Sequence, residues 1–284
     1  MGCVCCISAS LEYDVQIPMT TKGGEVIYQL SELDARTTKL SSIQPGEFSN
    51  AATKQQVIDI LAKGFAGTTK VAPDGSNSWC IDPQASGPNP CDPLLAEPDE
   101  ARKKVAQWSC DYIVHTAARH GGVFYMKDAK TNQVQAAMVT FPPNSQHLHD
   151  DSKNICNSLY AMRQSGFPPD FPPGCSNRYE LLQKKMKEFH ALMEDKLHWY
   201  VLLIAVNPDA QGQGFGSKLM SFVSQLGDAT NTPVYLETAG EKLERFYEKF
   251  GFKVIQRGEL RQDENTVFDQ FCAMAREPGQ ESQA

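Results

Sequence analysis

The residues whose types and spacing first suggest chemistry are Gly212-Gln213-Gly214-Phe215-Gly216-Ser217, which follow an apolar, strand-like run ending at Val206 and open a helix. Such a loop converges backbone N–H groups at the positive end of a helix, so it binds anions and suits a diphosphate. Glycine is needed because side chains would hold phosphates away from the backbone, and some positions call for a positive φ. Gly212, Gly214 and Ser217 also nearly spell a dinucleotide fingerprint, with Glu237 at about the distance of its ribose-binding acid. That alternative expects several further βαβ units, whereas the sequence beyond Gly216 offers one βα unit and an antiparallel pair. The Walker pattern fails, because no Lys-Ser or Lys-Thr pair stands in the required place.

The elements that must position this loop are legible from hydrophobic period. The last part of the chain reads as strand His198 to Val206, a helix from about Gly214 to Leu226, strand Val234 to Thr238, helix Glu241 to Phe250, then strands. Upstream, Leu11 to Ile17 and Glu25 to Leu30 alternate as half-buried strands, and Gln55 to Phe65 carries Val57, Ile58, Leu61 and Phe65 on one helical stripe. Asp99 caps a second helix, with Val105, Trp108, Tyr112 and Ile113 at helical spacing and Gly121-Gly122 ending it. Val123 to Met126 and Val134 to Phe141 flank a turn, which predicts an antiparallel hairpin. A helix from Tyr179 to about Asp195 turns Leu182, Met186, Phe189 and Met193 inward. Gly67 to Pro98 and Pro142 to Asn177, rich in Pro with Gly, Ser, Asn and Asp, read as loop insertions.

Val206-Asn207-Pro208-Asp209-Ala210-Gln211-Gly212-Gln213-Gly214-Phe215-Gly216 resembles the signature of the GNAT superfamily of N-acetyltransferases, with Gln211, Gly214 and Gly216 at its defining positions. Phe246-Tyr247-Glu248-Lys249-Phe250-Gly251-Phe252 resembles the second hallmark of that family. His198-Trp199-Tyr200 and Tyr235-Leu236-Glu237-Thr238 are similar to the branch with puromycin acetyltransferase and fungal small-molecule acetyltransferases. The clear likeness covers Leu197 to Phe252. It implies an α+β GNAT fold with a mixed, mostly antiparallel sheet splayed at the cofactor strand. It also implies one domain over 11–276, with its motif-bearing core at 197–257 and a flexible tail at 277–284.

The same resemblance implies acetyl-CoA as cosubstrate and an amine acceptor, small-molecule or protein, with a small molecule as the default; the alternatives are a membrane-tethered acyl-CoA-binding module without catalysis and a nicotinamide-dependent oxidoreductase. Backbone groups of Ile204, Ala205 and Val206 would hold the pantetheine and thioester, and amides from Gln211, Gly212, Gln213, Gly214, Phe215, Gly216 and Ser217 the diphosphate. An amine attacking a thioester needs a neutral nucleophile, stabilisation of the developing oxyanion and a proton for the departing thiolate. Tyr247 matches the family's general acid, with core packing as its alternative role. Glu237 and His198 are the alternatives for the base, each with a purely structural reading beside it, and an amine arriving neutral would need none. Gly240 departs from the family, standing where many members carry an Asn that contacts the pantetheine.

A net charge of -7, from 27 Lys plus Arg against 34 Asp plus Glu with no long basic run, argues against a nucleic-acid partner. The nine cysteines show neither a disulfide framework nor a zinc spacing, so the chain suits a reducing, cytoplasmic compartment. The apolar run Tyr200 to Val206 is far shorter than the roughly 18 residues that a membrane helix requires. Met1-Gly2-Cys3-Val4-Cys5-Cys6 offers Gly2 for myristoylation and Cys3 for palmitoylation, although Cys6 replaces the usual Ser or Thr. Two acyl chains would anchor the protein to the cytoplasmic face of a membrane; the alternative is an unmodified terminus.

Overall fold

The computed structural model describes residues 27–31, 45–47, 51–66, 100–118, 122–128, 130–143, 155–265 and 267–280. The strand expected at Leu11 to Ile17, the cap at Asp99, the Gly67 to Pro98 insertion and the acylation site at Gly2 and Cys3 lie outside these residues. The elements are β1 (Ile27–Ser31), β2 (Pro45–Glu47), α1 (Ala51–Ala66), α2 (Glu100–Ala118), β3 (Val123–Lys127) and β4 (Val134–Phe141). They continue with α3 (Ile155–Ser165), α4 (Cys175–His190), β5 (Trp199–Val206), α5 (Phe215–Thr230), β6 (Val234–Ala239), α6 (Glu241–Glu248), β7 (Lys253–Arg261) and β8 (Val267–Arg276).

All the described strands join one 8-stranded sheet in the order β2-β1-β3-β4-β5-β6-β8-β7. Only β1/β2 and β5/β6 pair in parallel; the other neighbours are antiparallel, as the expected α+β architecture requires. The antiparallel β6/β8 pair gives no support to the dinucleotide alternative, which would build its sheet from successive parallel crossovers.

Helices cover both faces of the sheet. Val57 and Leu61 of α1, Val105 and Val114 of α2, and Leu182 and Phe189 of α4 share one core with Tyr200, Leu203 and Tyr235. Leu219, Phe222, Val223 and Leu226 of α5 and Tyr247 of α6 share the other with Trp199, Val201 and Leu236. Each such side chain, once fully buried, contributes about 1.5–3 kcal/mol, and this fixes the helices to the sheet. Close approach adds to the fit, since a Cβ on Gly64 of α1 would stand 3.1 Å from the Ala205 Cβ of β5.

Two expectations change. The stretch from 142 to 177 is not one loop. It contains α3, and α4 begins at Cys175 behind Gly174, whose φ is 73°. On α2 the buried stripe runs through Val105, Ala106, Cys110, Val114 and Ala117, whereas Trp108, Tyr112 and Ile113 are half-buried. The reason is a second neighbour on that side. Trp108 stacks on Tyr112 at 5.6 Å, meets Phe171 at 6.2 Å and donates its indole N–H to the Gly166 carbonyl at 3.0 Å.

Candidate active site

β5 is held on one side along its length and released on the other. It pairs with β4 from Tyr200 to Val206, but with β6 only through Trp199–Val234, Tyr200–Tyr235 and Val201–Leu236. Beyond that point β6 pairs only with β8, so the two strands part and the backbone of Leu203 to Val206 borders a gap. A bulge accompanies the parting: Val139 pairs with Leu203 and Thr140 with Val201, leaving Leu202 as the extra residue. Leu202 and Leu203 therefore face the same core, after which Ile204 and Val206 turn towards α5 and Ala205 towards α1.

The chain leaves β5 through a short turn, Pro208–Ala210, capped by the Asn207 side chain, which accepts from the Asp209 amide at 3.3 Å. Asn207 is itself anchored to Gln135 of β4 through its amide, at 2.7 Å, and its side chain, at 3.1 Å. Gly212 and Gly214 follow with φ of 79° and 81°, the left-handed region in which a Cβ is strained, and Gly214 caps α5. Gln211, Gly212, Gln213 and Gly214 are exposed, and the first-turn amides of Phe215, Gly216 and Ser217 have no carbonyl one turn back to bond. Phe215 buries its ring beneath them, and Lys218 Nζ sits 5.2 Å from that ring. A Cβ on Gly216 would lie 3.4 Å from Val206 Cγ2, so this glycine lets the helix close against the end of β5. The loop is thus an open ring of N–H donors at a helix N-terminus, beside the exposed backbone edge of a parted strand; it suits a diphosphate joined to an extended chain that can pair with that edge.

Tyr247 and Glu237 lie on opposite faces of the sheet. Tyr247 is buried between the rings of Phe246 (5.2 Å) and Phe252 (6.0 Å) on the α5/α6 side. Glu237 is half-buried on the other side, where Tyr235 Oη donates to its Oε1 at 2.8 Å. Burial pushes the Glu237 carboxyl up to about 7, against the opposing pull of hydrogen bonds from the Tyr200 and Tyr235 hydroxyls. Burial, and then the Glu237 charge, raise the pKa of both phenols, so both stay protonated and able to donate.

His198 lies deeper. It is fully buried, its Nδ1 2.8 Å from the Lys196 carbonyl and its Nε2 3.0 Å from His190 Nε2. A carbonyl can only accept, so Nδ1 carries the proton, Nε2 accepts, and His190 donates from its own Nε2. Burial lowers the His198 pKa and the Lys196 bond partly restores it, which favours the neutral ring. Both nitrogens are engaged, and the ring reaches Glu237 only through Tyr235, which it meets edge-on at 5.5 Å.

Gly240 explains its own departure. It opens α6 at φ 86°, ψ 140°, a conformation that an Asn would adopt only under strain.

With this geometry in hand, residues 183–254 match the family model described as the acetyltransferase (GNAT) domain. That stretch is similar to GNAT acetyltransferases. An uncharacterized N-acetyltransferase of Schizosaccharomyces pombe is 33% identical over 90 residues, which are 32% of this chain and 36% of that protein. The match thus spans about a third of the relative's length. Among solved structures, polyamine N-acetyltransferase of Drosophila melanogaster has a TM-score of 0.49 at 12% identity, covering 89% of this chain and 99% of its own. Histone acetyltransferase HPA2 and related acetyltransferase from Corynebacterium glutamicum has a TM-score of 0.45 at 16% identity, over 82% and 94%. The likeness rests on the family match over residues 183–254 rather than on these superpositions.

The site contains neighbours whose place the local sequence only partly signals. Tyr235 had a signal, since it stands two residues before Glu237 on one strand and therefore on the same face. Tyr200 faces Tyr235 in register across the β5/β6 pair. His190 closes α4, and nothing in the local sequence ties it to His198.

Proposed function

We propose that the chain is an acetyl-CoA-dependent N-acetyltransferase that acts on a primary amine of a small molecule by direct attack within a ternary complex. The parting of β5 from β6 directly beside the glycine loop carries the reading. In it, one substrate meets backbone donors and acceptors along its whole length: amides of Gln211 to Ser217 at the diphosphate, and main-chain groups of Ile204 to Val206 at the pantetheine and thioester. The described residues fit this cosubstrate, since the left-handed Gly212 and Gly214 leave the loop open and no Cβ intrudes.

The gap between the strands opens onto both faces, which separates the two proton-transfer roles. Glu237, on the α1/α4 face, takes a proton from the acceptor ammonium. The amine nitrogen then attacks the thioester carbonyl carbon; the C–N bond forms, the C–S bond breaks, Tyr247 on the α5/α6 face protonates the leaving thiolate, and the second proton on the new amide nitrogen leaves to solvent, which returns one to the Tyr247 phenolate. We assign the base to Glu237 in preference to His198, because the carboxylate is half-exposed and both His198 nitrogens are occupied. The likeness of Tyr235 to Thr238 to small-molecule acetyltransferases and the chain's acidity support a cationic small amine as acceptor.

Calorimetric titration with acetyl-CoA and with NAD, followed by thiol release across an amine panel, tests the proposal. Micromolar acetyl-CoA binding with amine-dependent thiol release supports it. Absence of acetyl-CoA binding, or binding without turnover on any amine, rejects the enzymatic reading.

A further inference from the structure

The carboxylate assigned above as base is unusual in its company. Among the described residues, the titratable groups that face it or its phenol partner are Tyr235 on its own strand, Tyr200 and His198 from β5 and its approach, and His190 from α4. None of these is a cation. Burial lowers the His198 pKa and favours the neutral ring, whose Nε2 then accepts from His190 while its Nδ1 donates to the Lys196 carbonyl. Two phenols and a neutral histidine pair thus replace the Lys or Arg that ordinarily keeps a buried carboxylate ionised.

We infer that Tyr235 is a positioning residue that aims the Glu237 carboxylate and, by donating its phenolic proton, keeps it ionised in its partly dry site. The geometry is over-determined. The Tyr235 ring is held edge-on by His190 at 5.1 Å and 71° and by His198 at 5.5 Å and 66°, and it packs against Tyr200 at 5.6 Å. With the ring fixed, the hydroxyl has one place to be, 2.8 Å from Oε1. The histidine pair clamps the phenol and adds no charge, so it is the hydroxyls facing Glu237 that hold its proton affinity down against the dominant effect of burial. His190 enters the cluster from the helix before β5, which makes α4 a support for the base although it does not touch the carboxylate.

This inference rests on the proposed function only where it concerns turnover, so it is tested on two readouts. Tyr235→Phe keeps every ring contact and removes only the hydroxyl. The Glu237 carboxyl is titrated by 13C NMR of Glu-labelled protein, assigned by the resonance missing in Glu237→Gln, while kcat/KM is followed against pH. The expected result is a Glu237 midpoint raised by about one pH unit, the order expected for a lost hydrogen bond to a charged group. The acid limb of kcat/KM should rise by the same amount, with activity recovering towards wild type above it. A carboxyl midpoint that stays in place overturns the inference, as does a loss of activity equal at every pH. A shifted midpoint beside an unmoved pH profile upholds Tyr235 as the residue that ionises Glu237 and instead removes Glu237 from the role of base.

Discussion

Glu237→Gln should abolish most activity and yet stabilise the protein at alkaline pH. The carboxyl rises from 4.5 to about 7 on folding, chiefly through burial. Below pH 4.5 the group is protonated in both states and carries no penalty. Between 4.5 and about 7 the unfolded chain gives up its proton while the native chain keeps it, so native stability falls as pH rises. Above about 7 the full cost of a buried charge is present. At about 1.4 kcal/mol per pK unit the shift is worth at most about 3 kcal/mol, and partial exposure of the side chain reduces this to about 2. Gln is isosteric and keeps an acceptor for the Tyr235 hydroxyl, so it removes the charge with little else. Urea unfolding of wild type and variant at about pH 5 and about pH 8.5 measures the effect. The variant should gain about 2 kcal/mol on the wild type between the two conditions, while kcat falls by about 10²- to 10⁴-fold as expected for loss of a general base. His198 titrates in both proteins, so its contribution cancels in the difference. A stability difference unchanged with pH would refute the buried, ionising carboxylate, and full activity in the variant would refute its catalytic role.

Tyr247→Phe should preserve stability to within about 1 kcal/mol, since the ring keeps its contacts with Phe246 and Phe252, and should slow turnover in steady-state assays without weakening acetyl-CoA binding. Gly214→Ala should cost about 1 kcal/mol through its φ of 81° and lower the melting temperature by about 2–4 °C, with a larger proportional loss in calorimetric affinity for CoA. Asp228→Ala strips the buried Arg276 of its paired bonds at 2.7 and 2.9 Å and should cost about 3–5 kcal/mol in urea unfolding. Acylation at Gly2, expected from the first residues, predicts that labelled myristate enters the wild-type chain in cells and is absent from Gly2→Ala.

The sequence was most informative where chemistry and backbone geometry coincide. Gly212 and Gly214 are glycines because φ is positive there, and the order of strand, loop, helix, strand, helix and two strands from β5 onward was readable because each element is amphipathic and punctuated. The hairpin of β3 and β4 declared itself by two apolar runs around a polar turn, closed in the structure by Asp128 accepting from the Thr131 and Lys130 amides. Long-range registration was not readable. Nothing local says that β5 stops pairing with β6 after Val201, or that Leu202 is a bulge, because both depend on partners far along the chain. The same holds for His190, whose place beside His198 is set by how α4 packs on β7, with Phe189 directly against Gly258. The α3 helix escaped notice because its surroundings are rich in Pro and because Ile155 and Leu159 are exposed, so its apolar residues do not form an inward stripe.

The extra residue at Leu202 makes β5 a strand of two parities. Before it, odd-numbered positions face α5; after it, even-numbered positions do. Deletion of Leu202 would keep Val201 opposite Thr140 and Leu203 opposite Val139, and would leave Ile204, Ala205 and Val206 on the sides where they now stand. Loss of the bulge by deletion would therefore preserve the cleft wall, whereas straightening β5 at its present length would put Leu203 to Val206 on the opposite sides. Any relative whose strand lacks the bulge must carry its small and branched residues in the opposite alternation, so an ungapped alignment across this point would pair side chains that lie on opposite faces of the sheet.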